Sequence, residues 1–259
     1  MTTTPQPPDP ARAPHTQQTP QTPLTQQTLQ ALQDNNSSVR LRAALATGTT
    51  PNPRYVGQLI QRSATEPEFF VRDMLTWALT RHPVALTLPE LLREVRSERA
   101  QARSQALHTL SKIADPRSWP AITPDLLTDT DDDVARSAWR AAVVLVPEGD
   151  EAALAATLAT QLGRGERETQ LSLSQALVAL GTVIEPALHE AATAQDPDIR
   201  AHALATRRLL RDPDAGFTLA IEEAKRTMAL TGAPQNGRDD PRDGQGAPHR
   251  TDNRPRADR

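Results

Sequence analysis

The most restrictive feature of this sequence is a repeat of 30 to 34 residues through its middle. Each repeat opens with a small or β-branched residue, usually followed by arginine and then by apolar residues at helical spacing. The opening residues, counted as position 0, are Val39, Val71, Ala102, Ala135, Thr169 and Ile199. A period of this length predicts a fold built from one helical unit used several times.

Positions 0, 4, 7 and 8 of a repeat lie on one face of an α-helix. Position 4 is occupied by Ala43, Leu75, Ala106, Trp139, Leu173 and Ala203. Position 7 is small throughout, with Ala46, Ala78, Thr109, Ala142, Ala176 and Thr206. We therefore expect a buried face at position 4 and close helix–helix contact at position 7.

A second helix is predicted ahead of each of these helices. Proline at the first helical position, where its missing N–H costs nothing, marks three of the starts at Pro53, Pro124 and Pro186. Residues 87–90 fit a capping box and predict a further start at Thr87. One such pair cannot bury its apolar stripe alone, whereas stacked pairs can. A last amphipathic helix is predicted over residues 216–230.

The repeats occupy residues 25–232, and the composition changes on both sides of them. Residues 1–24 contain seven prolines, with threonine and glutamine filling most of the rest. Residues 233–259 contain four prolines, three glycines, six arginines and five aspartates. Such segments cannot bury enough apolar surface to offset their ordering entropy, so both tails are predicted to be disordered.

Two segments, residues 196–204 (Asp-Pro-Asp-Ile-Arg-Ala-His-Ala-Leu) and 102–107 (Ala-Arg-Ser-Gln-Ala-Leu), resemble HEAT repeats. The resemblance is to the short form seen in HEAT-like and bilin-lyase-type proteins, and the chain is similar to small actinobacterial HEAT-repeat proteins. It implies an all-α, armadillo-like fold: an α-solenoid of about six HEAT-like helix pairs, or α/α superhelix. It also implies that the second helices line a concave face, and that binding is a more common role than catalysis.

An arginine follows position 0 in most repeats, and we name these residues the arginine series. The series comprises Arg40, Arg72, Arg103, Arg136 and Arg200, with Gln170 interrupting it. The HEAT resemblance implies that each arginine bonds an acidic turn residue of a neighbouring unit. The candidate partners are Asp34, Glu66, Asp131 and Asp196. The alternative is a stripe that binds phosphate or carboxylate groups of a ligand.

The predicted concave face carries the candidate partner-binding residues. They are Asp73, Trp77, Arg81, His108, Lys112 and Arg140. Tryptophan beside arginine and histidine in a groove is typical of an interface hot spot. The alternative for Trp77 is a half-buried ring that fills space between neighbouring repeats. Trp139, at position 4, is predicted to pack in the core.

No pattern in the sequence indicates catalysis, a metal or a cofactor. Cysteine is absent, and the six histidines lack HxxxH and HExxH spacing. Residues 129–133 begin like a calcium loop, but Val134 and Arg140 stand where that loop needs glycine and glutamate. We therefore expect neither a metal nor a cofactor, and we expect the chain not to be an enzyme.

These observations predict a non-catalytic scaffold or adaptor that binds a protein partner. With no membrane-length apolar run and no signal peptide, we expect a cytoplasmic monomer that does not contact membranes. The first alternative is a HEAT-like nucleic-acid-binding or DNA-glycosylase-type protein, which the net charge of −3 disfavours. A bilin-lyase-like enzyme is a second alternative, indicated only by the form of the repeats.

Overall fold

A computed structural model describes residues 23–212 and 216–231 of the chain. Within those ranges the chain forms α-helices joined by turns and short 3-10 helices, and no residue there lies in a β-strand. The predicted all-α class is therefore confirmed for the described part. The predicted disordered tails fall almost wholly outside it, although the first helix already begins at Pro23.

The helices alternate between a first and a second member of successive pairs. The first helices are α1 (Pro23–Ala31), α3 (Val56–Ser63), α5 (Val84–Glu94), α7 (Pro124–Leu127), α9 (Glu151–Ala159) and α11 (Glu185–Ala191). The second helices are α2 (Ser37–Thr49), α4 (Phe69–Thr80), α6 (Ala100–Ile113), α8 (Asp132–Leu145), α10 (Arg167–Ala179) and α12 (Pro197–Arg211). Helix α13 (Phe217–Thr231) follows, close to its predicted bounds. Pro53–Tyr55, Pro116–Ala121 and Gly181–Ile184 are 3-10 helices.

Side-chain caps start several of the second helices. Asn36 accepts a hydrogen bond from the amide of Ser38 at the start of α2. Asp131 accepts from the amides of Asp133 and Val134 at the start of α8. These caps satisfy amides that have no partner inside the helix, and the negative charge suits the helix N-terminus. The acidic turn at residues 129–133 is thus a capping turn.

The predicted start of α5 is wrong. The helix begins at Val84 after Pro83, and Thr87 is buried within it rather than capping it. Pro83 has a torsion angle φ of −55°, suited to entering a helix, and it follows the end of α4 by only a short turn. Pro89 then lies inside the helix, where its missing N–H removes one intrahelical bond.

Each second helix contacts its own first helix and the second helices on either side of it in the chain. The contacts run α2 to α4, α4 to α6, α6 to α8, α8 to α10 and α10 to α12, and α13 packs on α12. Every residue at position 4 is buried, as the sequence predicts. Position 7 is also buried except at Ala46, in the first described pair.

No single helix in the described ranges is long and apolar enough to cross a membrane. The segments Arg167–Ala179 and Gly181–Ala191 reach that length and composition only when taken together, across a bend of 120°.

Candidate functional site

A groove of about 570 Å³ lies across three neighbouring second helices, α4, α6 and α8. Phe69 and Asp73 line it from α4, and Ser104 and His108 from α6. The α8 side contributes mostly charged groups. Arg136, Arg140 and Asp133 come from that helix, Asp131 precedes it and Glu168 reaches in from α10. The groove therefore has a serine-containing floor between an aromatic side and a charged side.

The structure brings three of the six predicted binding residues together in this groove. Asp73, His108 and Arg140 line it, with Asp73 and Arg140 exposed and His108 half-buried. Trp77, Arg81 and Lys112 are exposed near the C-terminal ends of α4 and α6, outside the lining of the groove. Which partner, if any, these residues bind stays a prediction.

Three of the other predicted binding residues influence the pKa of His108. Its burial lowers its pKa below the usual value, and the positive charges of Arg140 and Lys112 lower it further. Asp73 acts in the opposite direction with a smaller effect. His108 is therefore a neutral imidazole at neutral pH, in a field that is net positive.

Arg140 makes no ion pair within the described part of the chain. Its Nε donates to the carbonyl oxygen of Arg136, 3.3 Å away. Although the residue as a whole is exposed, the surrounding groove partly desolvates its guanidinium, and this desolvation and the nearby Arg136 charge lower its pKa, while Asp133 and Glu168 oppose this. Two of the nearby carboxylates, those of Asp133 and Glu168, bind Arg136 instead. Arg140 is thus a cation that the groove offers without a bound carboxylate.

Trp77 is half-exposed and packs across Gly48 of α2. A Cβ at Gly48 would lie 2.2 Å from Cζ3 of the Trp77 ring, so only glycine leaves room for the ring. The side chain is 38% exposed. One side of the ring therefore fills the space between α2 and α4, as the packing interpretation predicts, and another part remains accessible; the hot-spot role stays a prediction.

Trp139 is fully buried, as its position predicts. Its Nε1–H donates to the carbonyl oxygen of Leu127 at 2.8 Å, which satisfies the only polar group on the side chain. Trp139 is a packing residue between α7 and α8.

The arginine series supports the turns between paired helices. In four of the five arginines, Nη1 donates to the carbonyl oxygens six and five residues earlier in the chain. These four are Arg40, Arg72, Arg103 and Arg200. Gln170, which interrupts the series, donates its side-chain amide to the carbonyl oxygen of Gly165, five residues earlier. The series therefore satisfies turn carbonyls that would otherwise lack a donor.

Only part of the acidic pairing follows the prediction. Arg40 binds both carboxylate oxygens of the buried Glu66 at 2.7 Å, as expected for a pair across neighbouring units. Arg103 pairs with Asp129 rather than with Asp131. Asp131 and Asp196 cap α8 and α12, so their carboxylates are already bound to amides at the helix starts. The position of an acidic residue in the sequence therefore does not by itself show which arginine it binds.

Two candidate binding residues were missed by sequence reasoning. Phe69 and Phe70 open α4, and their side chains are 65% and 75% exposed. They precede Val71, the opening residue of this repeat, so the repeated pattern does not include them. An available signal was the pairing itself, since two of the three phenylalanines of the chain are adjacent at a helix start.

A buried polar cluster was also missed. His202 is fully buried, and its Nδ1 accepts from the amide of Gly163 at 3.0 Å. Its Nε2–H therefore donates to the carbonyl oxygen of Gln170, also at 3.0 Å. The hydroxyl of Ser174 lies 3.0 Å from Nε2 and 2.7 Å from the hydroxyl of Thr206. Burial lowers the pKa of His202 to about 4, so the cluster is a neutral network that joins α10 to α12.

The described residues contain no group of three or more His, Cys, Asp or Glu side chains placed to hold a metal ion.

The glycine turn at residues 163–165 has a structural role. Gly163 and Gly165 have φ angles of +83° and +67°, which favour glycine. Between them Arg164 reaches back to Asp132 and to the carbonyl oxygen of Asp129.

No family model matches the sequence, and no curated protein is significantly similar to it.

Proposed function

We propose that this chain is a non-catalytic, protein-binding scaffold with an α-solenoid of HEAT-like helix pairs. The groove across α4, α6 and α8 is the observation that carries the proposal. It presents exposed aromatic and charged side chains, and Arg140 in it has no ion-pair partner among the described residues. Such a surface suits recognition of another macromolecule.

Two features support the solenoid. Second helices contact one another in chain order from α2 to α12, which would give a continuous face for a partner. The repeated bonding of arginine to turn carbonyls in four units shows that these turns share one construction. Equivalent turns orient the two helices of each pair in the same way, and similar pairs favour a regular stack.

The nucleic-acid alternative has weaker support. Besides the arginines, four carboxylates line the groove, from Asp73, Asp131, Asp133 and Glu168. A continuous phosphate backbone would meet these negative charges along its length, and binding to phosphates depends on a surplus of cations. The groove carries both positive and negative side chains. This favours a protein partner, because the charges of a protein are spaced along its chain and not repeated at every unit.

Affinity capture from a native lysate of the source cells tests the proposal. The bait is the full chain, compared with a Trp77→Ala/Arg140→Glu variant, each with and without nuclease. The matched control is Leu86→Ala/Arg96→Glu on the α5 side, because Leu86 is 39% exposed against 38% for Trp77. We expect a protein that wild type and control retain, that the groove variant loses, and that nuclease does not release.

Two results would contradict the proposed function. One is that the wild-type bait retains no protein that the groove variant loses. The other is that nuclease abolishes the capture, which would transfer the groove to the nucleic-acid alternative.

A further inference from the structure

The exposed aromatic side chains of the described residues all lie on α4. The whole chain has only seven aromatics, and three of them, Phe69, Phe70 and Trp77, are 65%, 75% and 38% exposed there. Phe69 and Trp77 stand eight residues apart, so they share one face of the helix with Asp73 between them. Exposed aromatics that are scarce elsewhere and gathered on one face indicate a contact surface.

This aromatic surface continues onto α2. Leu45 stands at position 6 of its repeat, as Trp77 does in the next, and α2 packs on α4. Its side chain is 47% exposed. Leu45, Phe69, Phe70 and Trp77, named here the apolar strip, therefore give one edge of the face an apolar character across two helices.

The opposite edge carries two cations that make no ion pair. Lys112 on α6 and Arg140 on α8 are exposed, and neither forms an ion pair within the described ranges. Both act on His108, where their combined influence exceeds that of Asp73. Arg72 lies over the Phe69 ring at 5.9 Å and adds a further cation beside the strip.

The acidic groups of the groove are mostly engaged within the fold. Asp131 caps α8, while Asp133 and Glu168 bind Arg136. Asp73 is the acidic lining residue for which the described structure shows no hydrogen bond or ion pair. Among the charged side chains here that make no ion pair within the described residues, the cations Lys112 and Arg140 therefore outnumber the carboxylate of Asp73, and they lie near an apolar strip.

We propose that the groove, together with the exposed side chains beside it, binds an acidic protein segment that also carries apolar side chains. The apolar side chains pack on the strip, and the carboxylates reach Lys112 and Arg140. This inference rests on the proposed function and specifies the chemistry of the partner. The unpaired cations Lys112 and Arg140 favour this segment over a basic one, and two such cations are too few for a continuous phosphate backbone.

A selection from a random peptide library of fixed length, displayed on phage, tests the proposal against the immobilised full chain. We expect the selected peptides to be enriched in aspartate and glutamate over lysine and arginine, and in leucine, phenylalanine and tryptophan, relative to the starting library. The strongest peptide is then synthesised with a fluorophore, and its Kd is measured by anisotropy.

Variants localise the binding. Phe70→Ala removes a ring that is 75% exposed, so the fold does not depend on it. Phe70→Ala, Trp77→Ala and Arg140→Glu should each weaken the peptide about tenfold or more, as expected for hot-spot residues. The Leu86→Ala/Arg96→Glu control should bind as wild type does, and added salt should weaken wild-type binding. Far-UV circular dichroism checks that every variant retains its helices.

Several results would overturn this inference. They are selected peptides that are neutral or basic, binding that survives both Phe70→Ala and Arg140→Glu, and tighter binding of single-stranded oligothymidine than of the best peptide. Dimerisation that Phe70→Ala abolishes would assign the strip to a second copy instead. If a lysate protein depends on the groove but the peptides are not acidic, this inference fails while the proposed function stands.

Discussion

Glu66 is the residue on which most of the buried charge of this fold depends. Its side chain is fully buried and accepts hydrogen bonds from Arg40 at 2.7 Å, from Arg62 at 2.7 Å and from the amide of Glu68 at 3.0 Å. Arg40 is itself only 4% exposed. Replacing Glu66 by alanine therefore leaves the Arg40 guanidinium buried without its counter-charge.

Breaking a buried ion pair from one side costs about 3–5 kcal/mol, because the remaining charge is uncompensated. Arg40 keeps two partners in Glu66→Ala, the carbonyl oxygens of Asp34 and Asn35, each at 2.9 Å. Arg62 is 15% exposed and is able to turn toward solvent. We therefore expect a loss near the low end of the range, about 3 kcal/mol in the free energy of unfolding.

The assay is urea unfolding at neutral pH, followed by far-UV circular dichroism. The matched control is Glu98→Ala, because Glu98 follows Arg72 by the same 26 residues that separate Glu66 from Arg40. Glu98 is exposed, and its carboxylate makes no ion pair in the described part of the chain. We expect the control to change the unfolding free energy by less than about 0.5 kcal/mol.

A double variant examines the reason for the loss. Arg40→Met combined with Glu66→Ala removes both charges of the pair, so it should be more stable than Glu66→Ala alone. A double variant that is less stable than Glu66→Ala would show that the bonds from Arg40 to the carbonyl oxygens of Asp34 and Asn35 outweigh the cost of the buried charge. A Glu66→Ala loss no larger than that of Glu98→Ala would refute the buried-charge reasoning.

The same residue predicts an acid limit of stability. Burial alone would raise the pKa of Glu66, but the bonds from Arg40 and Arg62 outweigh it and lower the pKa from 4.5 to about 2. The unfolded chain therefore takes up a proton first, and stability is lost as the pH falls from 4.5 toward 2. The loss amounts to about 3 kcal/mol, and it should be absent from the same titration of Glu66→Gln.

Three further predictions concern other parts of the fold. Because burial lowers the pKa of His202 from 6.5 to about 4, wild type should lose about 3 kcal/mol of stability between those pH values, and His202→Gln should not. Leu177→Asp puts an unpaired charge at a fully buried site and should abolish most helicity in circular dichroism, whereas Leu45→Asp at an exposed site should retain it. Gly48→Ala should expel the Trp77 ring and shift tryptophan emission to longer wavelength; an unchanged emission maximum would contradict the close packing of that ring.

Much of the helical framework could be predicted from the periodicity of the sequence. Side-chain direction along a helix depends on local backbone geometry, so the spacing of Leu75, Trp139 and Leu173 is enough to assign them to a buried face. The start of α5 was predicted three residues too late. The capping-box pattern predicts a helix start at Thr87, whereas the helix starts directly after Pro83. The local sequence alone does not show which of these two positions begins the helix.

The candidate site was less accessible to sequence reasoning. Ser104 and Ser137 stand at position 2 of their repeats, as the exposed Asp73 does, yet they are buried and hydrogen-bond each other at 3.0 Å between α6 and α8. How closely two helices pack depends on the side-chain volumes of both helices. A helical wheel describes only one of them. The exposure of Phe69 depends in the same way on what packs beside it.

The sequence by itself determined that the chain forms paired helices, where the repeated core face lies, and that arginine stands at one repeated position. These properties arise from contacts within a few residues along the chain. Only the tertiary structure decided that Arg103 pairs with Asp129 while Asp131 caps a helix, and that His202 links Gly163 to Gln170. A hydrogen bond requires its atoms to lie within about 3 Å of each other, and distances across segments tens of residues apart are fixed only when the helices have packed.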